Sequence, residues 1–271
     1  MRNILAFLCL FIFTLSIPAQ ETIVPIVHNI TLLGGAQNGK WITAEKTAES
    51  LKDKTEFNII NFDGVEKNTV FGTKGERQGV CLENPVIRLP EMETENADDN
   101  VRFALGANAK WNPLPRIPKA ISLTDKIYSK AVADFLKTKG IAKTKIVITQ
   151  IYQIDLEGDG QNEVIIAGNY YKKGESEIQN VGDYSFVLLR KIVKGKAQNI
   201  LIEGEFFTSK LVKSGDFNPP TNREISAIAD LNGDGKMEFV MWEIYYEGNR
   251  SVVFEMKNGK PVKVLESECY V

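Results

Sequence analysis

The sequence predicts a mainly β protein (α+β by content) built from antiparallel four-stranded meanders, and three observations support this. Short runs of β-branched and aromatic residues alternate with Gly and Asn turns through most of residues 145–271. A nine-residue acidic segment at 155–163 recurs at 230–238. A single segment shows clear helical periodicity. We therefore expect two blade-like repeats, a packing helix and a small N-terminal β-rich module.

The N-terminal residues 1–19 have the pattern of a secretory signal peptide. Arg2 supplies the positive charge, and an apolar stretch runs from Ile4 to Ile17. Pro18-Ala19 then provides a small residue at the expected cleavage site. This stretch is too short to span a membrane as a helix, and no later segment approaches the required length. We expect an exported protein, periplasmic or extracellular, that does not span the membrane.

Residues 20–110 are predicted to form the N-terminal β-rich module. Short strands are expected at 55–62, 68–73 and 84–89, and an acidic loop at 91–100. The three prolines of residues 111–118 make a stiff extended segment. We place a domain boundary there, so that residues 111–271 form the C-terminal domain.

One helix is predicted in the C-terminal domain. Thr124 or Asp125 can cap it, Gly140 can end it, and lysines occupy its last turn, as the helix dipole favours. Its apolar residues recur at helical spacing. They are Ile127, Ala131, Val132, Phe135 and Leu136.

The remaining C-terminal residues divide into two repeats, at about 145–210 and 222–271. Each is expected to read strand, acidic loop, strand, turn, strand, turn, strand. The first copy carries a longer polar insertion after its second strand. The predicted strands are 145–154, 163–171, 184–193 and 197–206 in the first copy, and 224–229, 238–246, 251–257 and 261–271 in the second.

The acidic segments predict two calcium sites. Each places oxygen-bearing side chains at its first, third and fifth positions, a glycine at the sixth and a carboxylate at the ninth. Calcium prefers such oxygen ligands, and the glycine permits the sharp turn of a loop around one ion. The peptide carbonyl at the seventh position can also face the metal. The candidate ligands are Asp155, Glu157, Asp159, Gln161 and Glu163 in the first segment, and Asp230, Asn232, Asp234, Lys236 and Glu238 in the second.

A different interpretation needs no metal, because Asn-Gly and Asp-Gly pairs are strong hairpin markers. A turn alone, however, does not require several clustered acidic groups, which repel one another without a counterion. Glu157 is longer than the Asp or Asn that suits the third position, so the first segment fits calcium less well than the second.

The pattern D-x-[DN]-G-D-G-x-x-[DE] followed by an apolar strand resembles the calcium loops of FG-GAP and VCBS repeats, found in integrin α-subunit propellers and many exported bacterial proteins. The resemblance implies a calcium-stapled β architecture and no known reaction. It assigns ligand roles to Asp155, Asp159 and Glu163, and to Asp230, Asn232, Asp234 and Glu238. Two copies are too few for a seven-bladed propeller, so a full propeller is not expected.

Composition narrows the possible partners and reactions. The formal charge of −2, with 33 basic and 35 acidic residues, argues against a nucleic-acid partner. The single histidine, His28, excludes multi-histidine zinc sites and is interpreted as a surface residue. Without the signal peptide two cysteines remain, Cys81 and Cys269, and both a disulfide and two free thiols are compatible with this pair.

We expect a non-enzymatic protein in which calcium rigidifies a surface for a protein or glycan ligand. The candidate surface is an aromatic zone after each acidic segment, although these residues could equally be ordinary covering of the sheet, with one tyrosine of each pair in the core. The alternative is a carboxylate-dependent, glycosidase-like hydrolase that uses acids outside these segments. A purely structural component of the cell envelope is a third possibility, and the oligomeric state is left open. The aromatic residues are Tyr170, Tyr171, Trp242, Tyr245 and Tyr246.

Overall fold

The computed structural model describes residues 22–75, 85–89, 103–172, 179–208 and 219–270. The predicted signal peptide, the acidic loop at 91–100 and Cys81 lie outside these ranges. Within them, no helix is long and apolar enough to cross a membrane.

The N-terminal part is a closed antiparallel barrel. Six strands follow the order β1-β7-β4-β5-β6-β2, and pairing of β1 with β2 closes the ring. The short strand β3 adds to β2 outside the ring. The elements are β1 (Val24–His28), β2 (Thr31–Gln37), β3 (Lys40–Ile42), α1 (Ala44–Ser50), β4 (Thr55–Asn61), β5 (Gly64–Gly75), β6 (Val86–Arg88) and β7 (Phe103–Gly106).

The strands expected in this part are confirmed as segments of β4, β5 and β6. The helix α1 was not predicted: the sequence indicated one helix, and the described residues contain two. Its seven residues make only two turns, too few for helical periodicity to stand out. Closure of the barrel buries a compact apolar cluster. Its members are Val27, Leu32, Phe57, Ile59, Val70, Ile87, Leu89 and Ala104.

The C-terminal part contains two antiparallel sheets and one helix. The first sheet has the order β12-β11-β10-β9-β8, and the second has the order β13-β14-β15-β16. The elements are β8 (Lys119–Ala120), α2 (Lys126–Thr138), β9 (Gln150–Ile154), β10 (Glu163–Tyr170), β11 (Tyr184–Val193), β12 (Lys196–Phe206), β13 (Asn222–Ala229), β14 (Glu238–Tyr245), β15 (Gly248–Lys257) and β16 (Lys260–Tyr270). The antiparallel four-stranded order predicted for each copy is confirmed, with β8 added to the first, and the fold is not a seven-bladed propeller.

The helix α2 begins and ends as predicted. The Asp125 carboxylate accepts a hydrogen bond from the Ile127 N–H, and Gly140 adopts a left-handed φ of 81° just beyond the last turn. Its buried face contains Ala131, Val132, Phe135 and Leu136. The inclusion of Ile127 in this face was wrong, because this first-turn side chain is 67% exposed.

The first sheet packs on both faces, because successive side chains of a strand point in opposite directions. On β11, Phe186 and Leu188 belong to the cluster shared with α2. Val187 and Leu189, which point to the opposite face of the sheet, belong to the main core.

The main core crosses the proline-containing segment. It combines barrel residues such as Ile26 and Phe103 with Val187 of the first sheet and Phe239 and Leu265 of the second. The barrel and the two sheets therefore bury one another.

Two side-chain amides join the sheets at the β13 edge. The Gln150 amide donates to the Ile225 carbonyl at 3.0 Å and accepts from the Ile225 N–H at 2.6 Å. The Asn169 amide bonds the N–H and carbonyl of Arg223 in the same way, at 3.1 and 3.0 Å. These amides take the place of a neighbouring strand, so the edge groups of β13 are satisfied across the interface.

Replacing Gln150 with Ala should destabilise the fold by about 2–4 kcal/mol, because it leaves the N–H and C=O of Ile225 without their partners. Urea unfolding measures this change. The matched control is Gln198→Ala, at an exposed position of β12, which should change stability by less than about 0.5 kcal/mol. Equal effects of the two substitutions would show that the amide does not hold the edge.

Candidate metal centre

The two acidic segments form matching loops between neighbouring strands. The first loop (residues 155–163) connects β9 to β10, and the second loop (residues 230–238) connects β13 to β14. The glycines at the fourth and sixth positions of each loop have φ between 72° and 84°. The left-handed turn expected at the sixth position is confirmed, and the fourth position makes another.

The aspartate at the first position organises each loop from within. The Asp230 carboxylate accepts from the N–H groups of Gly233 at 2.7 Å and Gly235 at 2.9 Å. The Asp155 carboxylate makes the equivalent bonds to Gly158 and Gly160, at 2.7 and 2.9 Å. The loop backbone thus wraps around one carboxylate, as in an extended Asx turn.

The glutamate at the ninth position closes each loop. The Glu163 carboxylate accepts from the Leu156 N–H at 3.0 Å, and Glu238 accepts from the Leu231 N–H at 2.8 Å. Both leucine side chains are fully buried. Each glutamate is therefore drawn beneath its loop, where Glu238 is 1% exposed.

The proline-containing segment bridges the two loops. The Trp111 indole N–H donates to the Asp230 carbonyl at 2.8 Å, and the Pro113 carbonyl accepts from the Asp230 N–H at 2.8 Å. The Arg116 guanidinium donates to the carbonyls of Asp155 at 2.7 Å and Gly235 at 2.8 Å. The segment in which the sequence places a domain boundary thus fixes the position of both loops.

The second loop buries two acidic side chains, those of Asp230 and Glu238. Burial, with a smaller contribution from the neighbouring carboxylates of Asp234, Asp230 and Glu255, raises the pKa of Glu238 to about 9, against the opposing hydrogen bond from the Leu231 N–H. Burial also raises the pKa of Asp230. Among the described residues, no lysine or arginine forms an ion pair with either carboxylate. Two buried acids without a cation are costly when ionised.

The first loop has a cation of its own. The Lys191 ammonium lies 2.5 Å from a Glu157 oxygen and 3.8 Å from a Glu163 oxygen, and its side chain is 11% exposed. Burial raises the pKa of Glu163, while Leu156 and Lys191 act in the opposite direction. Lys191 lies outside the two recurring acidic segments and was not among the predicted residues of the site.

The predicted ligands divide into a buried and an exposed set. In the second loop Asp230, Asn232 and Glu238 are buried, while Asp234 and Lys236 are exposed. In the first loop the ninth-position glutamate is buried, Asp155 and Glu157 are half-buried, and Asp159 and Gln161 are exposed.

The fifth-position aspartate of each loop caps its own turn. Asp159 accepts from the Gln161 N–H, and Asp234 accepts from the Lys236 N–H, both at 2.8 Å. Within the described ranges, no three acidic, histidine or cysteine side chains already converge into a ligand group.

The aromatic zone is mostly packed rather than exposed. Tyr170 lies against Tyr184, the Tyr171 hydroxyl donates to the Thr221 carbonyl, and Trp242 meets His28 edge-on at 5.5 Å. Tyr246 alone among the five is in the exposed class, at 58%. This packing favours the interpretation of these aromatic residues as ordinary covering of the sheets over a ligand-binding surface.

The interpretation of His28 as a surface residue was wrong. It is 1% exposed at the end of β1, and its Nδ1 lies 2.7 Å from the Ser251 hydroxyl of β15. Burial lowers its pKa to about 3. This histidine is a neutral core residue at the junction of the barrel and the second sheet.

Cys269, on β16, is disulfide-bonded. This outcome favours the disulfide over the free thiol for this cysteine. Its expected partner, Cys81, lies outside the described residues.

The comparisons with known proteins found no match: no family model, no curated protein and no solved structure is significantly similar to this chain. The likeness to FG-GAP and VCBS loops therefore stays a resemblance of two short segments.

Replacing Gly233 with Ala should destabilise the fold more than replacing Gly235. Both glycines have φ near 80°, which costs an alanine about 1 kcal/mol. A Cβ on Gly233 would also lie 2.8 Å from the Trp111 ring, whereas one on Gly235 meets open space. We expect losses of about 2–4 kcal/mol and about 1 kcal/mol respectively, measured by urea unfolding in chelator. Equal losses would contradict the close packing of Trp111 on the second loop.

His28 should make the fold less stable in mild acid. Because its pKa falls from about 6.5 in the unfolded chain to about 3 in the folded one, its full contribution is present above 6.5 and is lost as the pH decreases below that value. Between about pH 7.5 and about pH 5.5, wild type should lose about 1.4 kcal/mol more than a His28→Leu variant. Urea unfolding at the two pH values provides the comparison, and identical pH dependence in both proteins would refute the assignment.

Proposed function

We propose that this chain is an exported, non-catalytic calcium-binding protein whose second loop takes the ion. One observation carries the proposal: Asp230 and Glu238 are buried in the same loop, within electrostatic range of Asp234 and Glu255, with no cationic partner among the described residues. A divalent cation would offset this charge, and the all-oxygen ligand set suits calcium. The export is supported by the signal-like pattern of residues 1–19.

The residues that would hold calcium are those of the second loop. Asp230, Asn232, Asp234 and Glu238 supply side-chain oxygens, and Lys236 supplies its peptide carbonyl. Asp230 and Asn232 are already buried and hydrogen-bonded to the loop backbone, so their positions are largely set before an ion binds. We treat the two sheets as divergent copies of one blade-like unit, in which such a loop joins the first two strands.

Calcium would stabilise a surface rather than a reaction centre. A cleft of about 260 Å³ lies beside the second loop, between the barrel and the Trp111 segment. Side-chain amides, one lysine and one half-buried indole line it, a mixture that suits the hydroxyl groups and the apolar ring faces of a glycan. The main lining side chains are Gln37, Asn38, Asn108, Lys110, Trp111 and Asn232. We propose a glycan as the ligand of this cleft, with a protein as the alternative.

The hydrolase interpretation has less support. Glu238 has the raised pKa of a general acid, yet it is buried beneath its loop and bonded to Leu231. Outside the loops, the buried Glu243 carboxylate is held by Arg223 at 2.6 Å and by Arg250 at 2.5 Å. These two acids are engaged in the fold and do not offer an acid and a base to a substrate.

Thermal unfolding tests the calcium proposal. With calcium at about 100 times its dissociation constant, binding should add about 2.7 kcal/mol of stability, a rise of about 5–10 °C in the melting temperature over excess chelator. Asp234→Asn, which removes one ligand charge with little change in size, should abolish most of this rise. The control is Asp63→Asn, an exposed aspartate of the barrel, which should keep it.

Terbium luminescence provides an independent measurement at the same loop. Trp111 bonds the Asp230 carbonyl, and the Trp41 indole N–H donates to Glu255 at 3.0 Å, so two indoles flank the second loop. Terbium bound there should emit on tryptophan excitation and be displaced by calcium. The proposed function would be contradicted if wild type showed no terbium emission and no calcium-dependent shift in melting temperature.

A further inference from the structure

The two loops differ in the residue that lies beneath them on the third strand of each copy. In the first sheet, Val164 pairs with Arg190, which brings the next residue, Lys191, to Glu163. In the second sheet, Phe239 pairs with Phe254, which brings Glu255 to Glu238. The same structural position therefore holds an ammonium in one copy and a carboxylate in the other.

The equivalence of Lys191 and Glu255 is structural. The turn after β11 has left-handed Lys194 and Gly195, at φ 51° and 74°, and the turn after β15 has left-handed Asn258 and Gly259, at 52° and 72°. Both pairs form two-residue hairpin turns of the same type. Counting back three residues from the first turn residue reaches Lys191 in one copy and Glu255 in the other.

We infer that the Lys191 ammonium is the resident cation of the first loop and excludes calcium from it, so that the protein binds one calcium ion, in the second loop. This inference rests on the proposed calcium function. The ammonium is held between Glu157 and Glu163, where an ion bound by the third- and ninth-position ligands would lie, and it is 11% exposed. A cation brought into the same place would meet like charge at close range.

Glu157 fits this role better than it fits calcium. The longer side chain at the third position reaches across to Lys191 at 2.5 Å, whereas the second copy has the shorter Asn232, bonded to the Asp234 N–H at 2.9 Å. In the second copy Glu255 adds a further carboxylate. Its contacts are the Trp41 indole and a Lys257 ammonium 3.5 Å away on a largely exposed side chain, which solvent screens. The first loop is thus a lysine-stapled turn, and the second is the metal loop.

Native mass spectrometry of the mature protein in calcium, with chelator as the reference, tests the inference. Wild type should bind one calcium ion, and Lys191→Gln should bind two, because the first loop loses its internal cation. Lys191→Arg, which keeps the charge, should remain at one. The matched control is Lys196→Gln, at an exposed position at the start of β12, which should also remain at one.

A second set of variants tests the inference even if the Lys191 variants do not fold. Asp159→Asn should leave the calcium affinity of wild type unchanged within about twofold, and Asp234→Asn should weaken it by more than about tenfold. Glu255→Lys, which copies the first loop into the second, should remove calcium binding from a protein that still folds.

Each failure has its own signature. Two calcium ions in wild type, one ion in Lys191→Gln, or equal effects of Asp159→Asn and Asp234→Asn would overturn the role of Lys191 and leave calcium binding intact. If wild type bound no calcium at any calcium concentration at which the protein stays folded, the proposed function itself would be overturned.

Discussion

The structure depends on how buried carboxylates at the two loops are neutralised. Each loop places an aspartate at its centre and a glutamate beneath it, and their hydrogen bonds to backbone N–H groups fix the loop shape. Those hydrogen bonds give the carboxylate oxygens partners, but they do not neutralise the negative charge that the carboxylates carry when ionised. The first copy balances part of that charge with Lys191. The second copy has Glu255 at the same position, and under the proposed function a cation from solution balances its carboxylates.

The two loops contact each other, so their conformation affects how the two sheets are held together. The Met237 N–H donates to the Leu156 carbonyl at 2.8 Å, Arg116 bonds the carbonyls of both loops, and Trp111 packs against Gly233. Below this contact, one core joins the barrel with both sheets. Neutralising the second loop would therefore stabilise the junction of the whole fold.

Much of the fold could be predicted from local patterns. The strands of both copies, the capped helix α2 and the left-handed glycines follow from residue types at fixed spacings, which act over a few neighbours. The barrel could not be predicted, because its closure depends on pairing of β1 with β7 and of β2 with β6, strands that lie far apart in the chain. The exposed position of Ile127 and the burial of His28 likewise depend on which element packs above each residue.

Each set of predicted ligands lies within one loop, although no three acidic side chains of the described residues converge there, and the residues that distinguish the two loops were missed. Lys191 and Glu255 lie on the third strands, outside the recurring nine residues. A signal was present: aligning residues 186–196 with 250–260 on their hairpin turns sets Lys191 against Glu255. The consequence of having lysine in one copy and glutamate in the other becomes visible only in the structure, where strand pairing places Lys191 near Glu163 and Glu255 near Glu238. The roles of Trp41, Trp111 and Arg116 had no local sequence signal.

Long-wavelength anomalous diffraction from crystals grown in calcium would test the central claim most directly. If only the second loop binds calcium, one strong anomalous peak will lie about 2.3–2.6 Å from oxygens of Asp230, Asp234 and Glu238, and the Lys191 ammonium will occupy the first loop with no peak there. A peak in the first loop, or none in the second, would contradict it.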